Sequence, residues 1–141
     1  MSWRFYKLKV LSLTESYATL IKLGKKKIET RSFKTNYRGE LYIHASSTKI
    51  PKEWKNNKEL MNLVKDSVLN FGYSILKCKL VDCVYMDEEF LDKIKKDKLE
   101  YLVGDYKPGR YAWILDDIEV LDKPIFAKGK LGIWNCEEDI S

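Results

Sequence analysis

Apolar positions recur at two spacings along this chain, and the change from one to the other divides it into strands and helices. Tyr6 to Leu13 alternates, with Leu8 and Val10 and then, after a slip of one, Leu11 and Leu13, which predicts a strand. Helical spacing takes over from Glu15, where Tyr17, Ala18, Leu20, Ile21 and Leu23 form one buried side. Thr14 is placed to cap that helix, the Glu15 carboxylate suits its start, and Gly24 suits its stop. A short strand with Glu29 and Arg31 on one face and Ile28 and Thr30 on the other comes next. Asn36 to Gly39 reads as a turn. Glu40 to Ala45 reads as a strand with Leu41, Ile43 and Ala45 on one face and Tyr42 and His44 on the other.

Pro51 breaks the chain before a predicted helix over Asn57 to Phe71, whose Leu60, Leu63, Val64, Val68 and Phe71 recur at three- and four-residue intervals. Tyr73 to Tyr85 is a long strand rich in Ile, Leu, Val and Cys. Asp87 is placed to cap a charged helix, Glu88 to Lys98, with Phe90, Leu91 and Ile94 as a narrow apolar stripe. Lys107-Pro108-Gly109 is a turn, Arg110 to Leu121 a strand, and Pro124 a break. A last strand spans Lys128 to Asn135, with a frayed acidic tail expected from Cys136 onward. About six strands with two or three interspersed helices, and no regular strand–helix alternation, predict an α+β fold. The expected form is one domain over residues 1–141, a small, mostly antiparallel β-barrel with peripheral helices.

Composition narrows the functional classes. At 141 residues, 45% apolar and 13% aromatic, the chain can bury a core without disulfides or metal. No apolar run approaches the roughly 20 residues of a membrane helix, and the first seven residues lack a secretory h-region. A cytoplasmic protein with no membrane partner is expected. Cys78, Cys83 and Cys136 are odd in number and lack metal-module spacing, so small buried thiols are expected, with no metal and no cofactor. The net charge of +5 favours a polyanion partner only modestly. More informative are the four arginines, Arg4, Arg31, Arg38 and Arg110, because a guanidinium is a planar fork suited to phosphate or carboxylate. By the residues alone, the Glu29–Arg31 strand is either a solvated edge carrying an ordinary ion pair or the charged wall of a pocket.

Several ordered segments resemble the ASCH family, the activating-signal-cointegrator homology domains of the PUA-like superfamily. They begin with Leu11-Ser12-Leu13, Ala18-x-Leu20-Ile21-x-x-Gly24 and Gly24-x-Lys26-x-x-Glu29-x-Arg31. Tyr37-Arg38-Gly39, Ile43-His44-Ala45-Ser46 and Gly109-x-Tyr111-Ala112-Trp113-x-Leu115 follow. Pro124-Ile125 and Lys128-Gly129-x-x-Gly132-x-Trp134 complete the order. Where many members carry a tryptophan and a proline before the first helix, this chain has Thr14 and Ser16.

The resemblance implies a PUA-like barrel with a cleft in which Lys26, Glu29 and Arg31 cluster, and binding of RNA or a modified nucleotide. Lys26, Arg31 and Arg38 would then meet phosphate, while Tyr42, His44, Trp113 and Trp134 are candidates to stack on or bond a base. For the tryptophans, simple core packing is the competing reading. A second class of function is hydrolysis of an N4-acetylcytidine-type nucleoside, or of RNA. Lys26 matches the lysine of the family's amidohydrolase branch, and Glu29 stands in the place of its threonine nucleophile. Glu29 would act there as general base with Lys26 stabilising an oxyanion, and for ribonuclease chemistry Glu29, His44 or Lys26 is the candidate base. A third class is protein–protein contact, with the Glu88–Lys98 helix as its surface.

Overall fold

The structure, a computed structural model, describes the backbone of residues 5–139 and the side chains of residues 8–136. Arg4 therefore lies outside the described residues. Six strands, β1 (Phe5–Leu13), β2 (Ile28–Arg31), β3 (Gly39–Ala45), β4 (Tyr73–Tyr85), β5 (Tyr111–Phe126) and β6 (Ile133–Asp139), form one sheet in the order β2-β5-β4-β3-β1-β6. β1 and β3 run parallel and the other neighbours antiparallel, so the sheet is mixed. It curls into a half-barrel carrying five short helices, an α+β fold of the PUA-like barrel type. They are α1 (Tyr17–Lys22), α2 (Lys52–Lys55), α3 (Lys58–Asn62), α4 (Glu88–Ile94) and α5 (Lys98–Leu102).

The concave face holds Leu11, Leu13, Leu41, Ile43, Leu76 and Trp113 against Ala18 and Ile21 of α1. Burying an aliphatic side chain of this size contributes about 1.5–3 kcal/mol, so this cluster dominates the fold's stability. A second cluster joins Leu20 of α1 to Trp54, Leu60, Val64 and Val103. A third, of Met86, Ile94, Tyr106 and Ala112, seats α4 and brings the 103–110 segment toward β2.

Several elements differ from the sequence reading. The expected Asn57–Phe71 helix stops at Asn62, because Leu60 and Val64 reach the core while Val68 and Phe71 are exposed. The Glu88–Lys98 helix ends at Ile94, and Asp97 begins α5 by accepting the Glu100 N–H. Asp87 caps α4 as expected, accepting the Phe90 N–H. Pro124 does not break β5. β2 pairs with β5 only over residues 111–114, so beside Pro124 one edge of β5 has no ladder to lose. The acidic end of the chain is strand rather than frayed tail, since Leu8 pairs with Cys136 and Phe5 with Asp139.

Candidate functional site

A cleft of about 1070 Å³ opens where the curled sheet brings β2 back toward β1. Its position follows from how α1 ends. Gly24, at φ 74°, takes a left-handed conformation. The Gly24 N–H reaches the Ile21 carbonyl and the Lys25 N–H the Leu20 carbonyl, the paired bonds of a Schellman stop. The chain then turns inward at Lys26, which is 1% exposed. Its ammonium donates to the Val103 carbonyl at 2.8 Å, stands 3.8 Å from Glu29 Oε1 and lies over the Tyr17 ring. Burial lowers the Lys26 pKa, Glu29 and Glu100 oppose the shift, and Arg31 adds to it. Glu100 is buried beside it and accepts the Lys27 N–H; burial raises its pKa, with that bond and Lys26 acting against the rise.

Glu29 bridges this interior cation to the cleft. Its Oε2 accepts from Arg31 Nε at 3.0 Å, and its Oε1 accepts the Thr30 N–H. Arg31 Nη2 crosses to the Ser12 carbonyl on β1 at 3.1 Å, joining two strands that are far apart in the sheet order. The guanidinium also sits 5.9 Å from the Trp113 ring, within cation–π range. A second arginine is tied in the same manner. Arg110 Nε donates to the Asp105 carbonyl and its Nη2 to the Thr30 carbonyl, while Thr30 Oγ1 accepts the Asp105 N–H.

Segment 126–132 makes another wall, and a hydrogen-bonded chain holds it. His44 Nε2–H donates to the Ala127 carbonyl at 2.8 Å, which leaves Nδ1 to accept the Ser12 hydroxyl at 3.0 Å. Ser12 Oγ in turn accepts Trp134 Nε1–H. Gly129 packs so closely here that a Cβ would stand 3.0 Å from both His44 Cε1 and Ser12 Oγ. Among the charged lining residues, Arg31, Arg110, Lys128 and Lys130 outnumber Glu29 and Asp105 by four to two, so the cleft favours an anion.

The predicted residues fall into three groups. Glu29 and Arg31 line the cleft, and Lys26 supports them from behind. His44, Trp134 and Trp113 are buried, the first two anchoring the wall and Trp113 underlying Arg31 with its Nε1–H on the Phe33 carbonyl. Arg38 and Tyr42 are not among the lining residues: Arg38 bonds the Thr35 and Tyr37 carbonyls and pairs with Asp82. Sequence reasoning passed over Ser12, Tyr17, Thr30, Arg110 and the Phe126–Gly132 wall as parts of the site. Arg110 had a usable signal, being one of four arginines next to a glycine turn. Thr14, expected to cap α1, faces the cleft, and Glu15 supplies the bond to the helix start through the Thr19 N–H.

A family model described as the ASCH domain matches residues 11–125. The chain belongs to the ASCH domain family. This family is part of the PUA-like superfamily, and the match runs from the end of β1 through all but the last residue of β5, including every bond described around Arg31 and Arg110. The match to the ASCH domain stops one residue before the wall that begins at Phe126. No curated protein matches the chain. Among the described residues no group of three or more His, Cys, Asp or Glu is arranged to hold a metal, and no helix is long and apolar enough to cross a membrane.

Proposed function

We propose that this ASCH domain binds RNA or a modified nucleotide in the cleft, with Arg31 and Arg110 receiving phosphate and Glu29 available to a base or sugar donor at the rim of its Arg31 pair. The observation that carries the reading is the pair of tethered guanidiniums. Each is held through Nε and one terminal nitrogen by protein carbonyl or carboxylate oxygens, so little side-chain freedom remains to be lost when an anion arrives.

The same geometry favours binding over hydrolysis. Hydrolysis would need Lys26 and Glu29 at the reacting atoms, yet the Lys26 ammonium is enclosed by Val103, Glu29 and Tyr17. We therefore assign Lys26 to positioning Glu29, and we expect N4-acetylcytidine to be returned unchanged after incubation with the protein.

Titration of short RNA and of nucleoside monophosphates at low salt tests the reading, and affinity should fall as salt rises. Hydrogen bonds to charged groups contribute about 1.5–3 kcal/mol, so Arg31→Ala or Arg110→Ala should weaken binding about tenfold or more. Arg31→Lys should recover only part of the loss, because an ammonium cannot reproduce the fork. Absence of binding by every probe at low salt would overturn the proposal.

A further inference from the structure

We propose that the ligand of this cleft is a single-stranded segment rather than a free nucleotide, and that Phe126 is the platform on which a neighbouring base stacks as the strand leaves the cleft. The inference rests on the nucleic-acid reading above and names the form of ligand that reading leaves open.

Phe126 lines the cleft, yet the residue is 69% exposed. An aromatic ring left in water is common enough singly, but this one is held in place from several directions. Phe126 pairs in register with Tyr73, and the two rings meet edge to face at 5.3 Å. The next residue, Ala127, donates its N–H to the Gly72 carbonyl at 3.1 Å. Gly72 itself forms the seat of the ring, since a Cβ there would stand 3.1 Å from Phe126 Cε1. The exposed ring is thus fixed in position, as a stacking surface needs to be.

The surroundings select an anionic chain over an apolar partner. Residues 123–134 contain Lys123, Lys128 and Lys130 and no acid. Lys128 and Lys130 line the cleft together with Phe126, and the hydroxyl residues Ser46, Ser47 and Thr48 line it too. Alternating cations and an open aromatic face suit a backbone that carries one phosphate and one base per step. Ser12 connects this wall to the arginines: its carbonyl takes the Arg31 bond and its hydroxyl the His44 bond that holds Ala127. The volume, about 1070 Å³, lies just above the roughly 300–1,000 Å³ typical of small-molecule pockets.

The test compares fluorescein-labelled RNA pentamers of uridine, cytidine and adenosine with the matching 5′-monophosphates, using the wild-type chain, Phe126→Ala and Phe126→Trp. At least one pentamer should bind the wild type tenfold or more tighter than its monophosphate. Phe126→Ala should weaken that pentamer at least fivefold more than it weakens the monophosphate, and Phe126→Trp should restore it. Equal affinities for pentamer and monophosphate, or equal losses for both in Phe126→Ala, would overturn the strand proposal while leaving nucleotide binding in place. Failure of every probe on the wild type would remove both readings. Wild-type self-association by sedimentation that Phe126→Ala abolishes, with pentamer affinity unchanged, would assign the ring to a contact between copies instead.

Discussion

A charged group at the cleft and another on the outer face of β3, β4 and β5 both set basic against acidic side chains at similar separations. Glu29 stands 3.8 Å from Lys26 and 3.0 Å from Arg31, while Lys77 lies 3.7 Å from Glu40 and 3.5 Å from Glu119, and Lys79 lies 3.3 Å from Asp117. Enclosure separates them. The Lys26 and Glu29 side chains are 1% and 10% exposed, whereas the Glu40 and Glu119 side chains are 55% and 68% exposed. Water competes for every bond in the outer group and screens its charges, so those ion pairs hold little structure. In the inner group the same pairs fix which way a guanidinium points. Charge on a strand becomes a site only where the fold removes the water around it.

The largest effect should come from breaking the inner group. Glu29→Ala leaves the Lys26 ammonium buried without its carboxylate, and loss of one partner from a buried pair costs about 3–5 kcal/mol. Glu119→Ala should cost under about 1 kcal/mol. Lys26→Met should cost less than Glu29→Ala, because Arg31 still faces Glu29 once the ammonium is gone. Urea unfolding of the three variants gives the order directly. Similar losses for Glu29→Ala and Glu119→Ala would dissolve the distinction between the two groups.

Local signals carried much of the architecture and less of the site. Gly24 as the stop of α1, Asp87 as a cap and the alternation through β3 are decided within a few residues, and they read correctly. The opposed charges of Glu29 and Arg31 were visible for the same reason. Lys26 was visible as a motif residue, but its burial depends on a carbonyl 77 positions away at Val103. Arg110 acquires its role from Thr30, 80 positions earlier. The apolar spacing from Leu60 to Phe71 was helical in pattern, yet only its first half has a surface to pack against. Pro124 and the acidic end were misread because strand pairing depends on which neighbour lies alongside, and sequence spacing does not reveal that.

A second contrast lies between two glycines of the cleft region. Gly129→Ala would place a methyl 3.0 Å from His44 and Ser12, and both are held by hydrogen bonds that resist displacement. Overpacking of that kind costs about 1–3 kcal/mol, and it should also shift the Phe126–Gly132 wall and lower RNA affinity. At Gly24 a Cβ meets nothing within 4 Å, so Gly24→Ala bears only the left-handed backbone strain, about 1 kcal/mol, with no change at the wall. Thermal unfolding together with RNA titration separates the cases. Unchanged RNA affinity in Gly129→Ala would detach the wall from the site.

The smallest effect should appear at Glu15, a buried carboxylate held by neutral donors where Glu29 is held by cations. Glu15 accepts the Thr19 N–H and hydroxyl, at 3.0 and 2.8 Å, and burial raises its pKa despite those bonds and the more distant Lys22. Below the ordinary carboxylate range Glu15 is protonated in both the folded and the unfolded chain, so it adds no pH dependence there. As pH rises, the unfolded chain ionises first and the folded chain retains the extra proton. Stability is then lost until pH passes the raised folded value. Glu15→Gln keeps an acceptor for the Thr19 N–H and removes the ionisation. Its stability relative to wild type should therefore improve from about pH 4 to about pH 8, a comparison in which the raised Glu100 cancels because both chains carry it. Urea midpoints at the two pH values measure the change. A difference that stays constant with pH would mean that Thr19 stabilises the Glu15 carboxylate as fully as water does, and that enclosure alone does not set the cost of a buried charge in this fold.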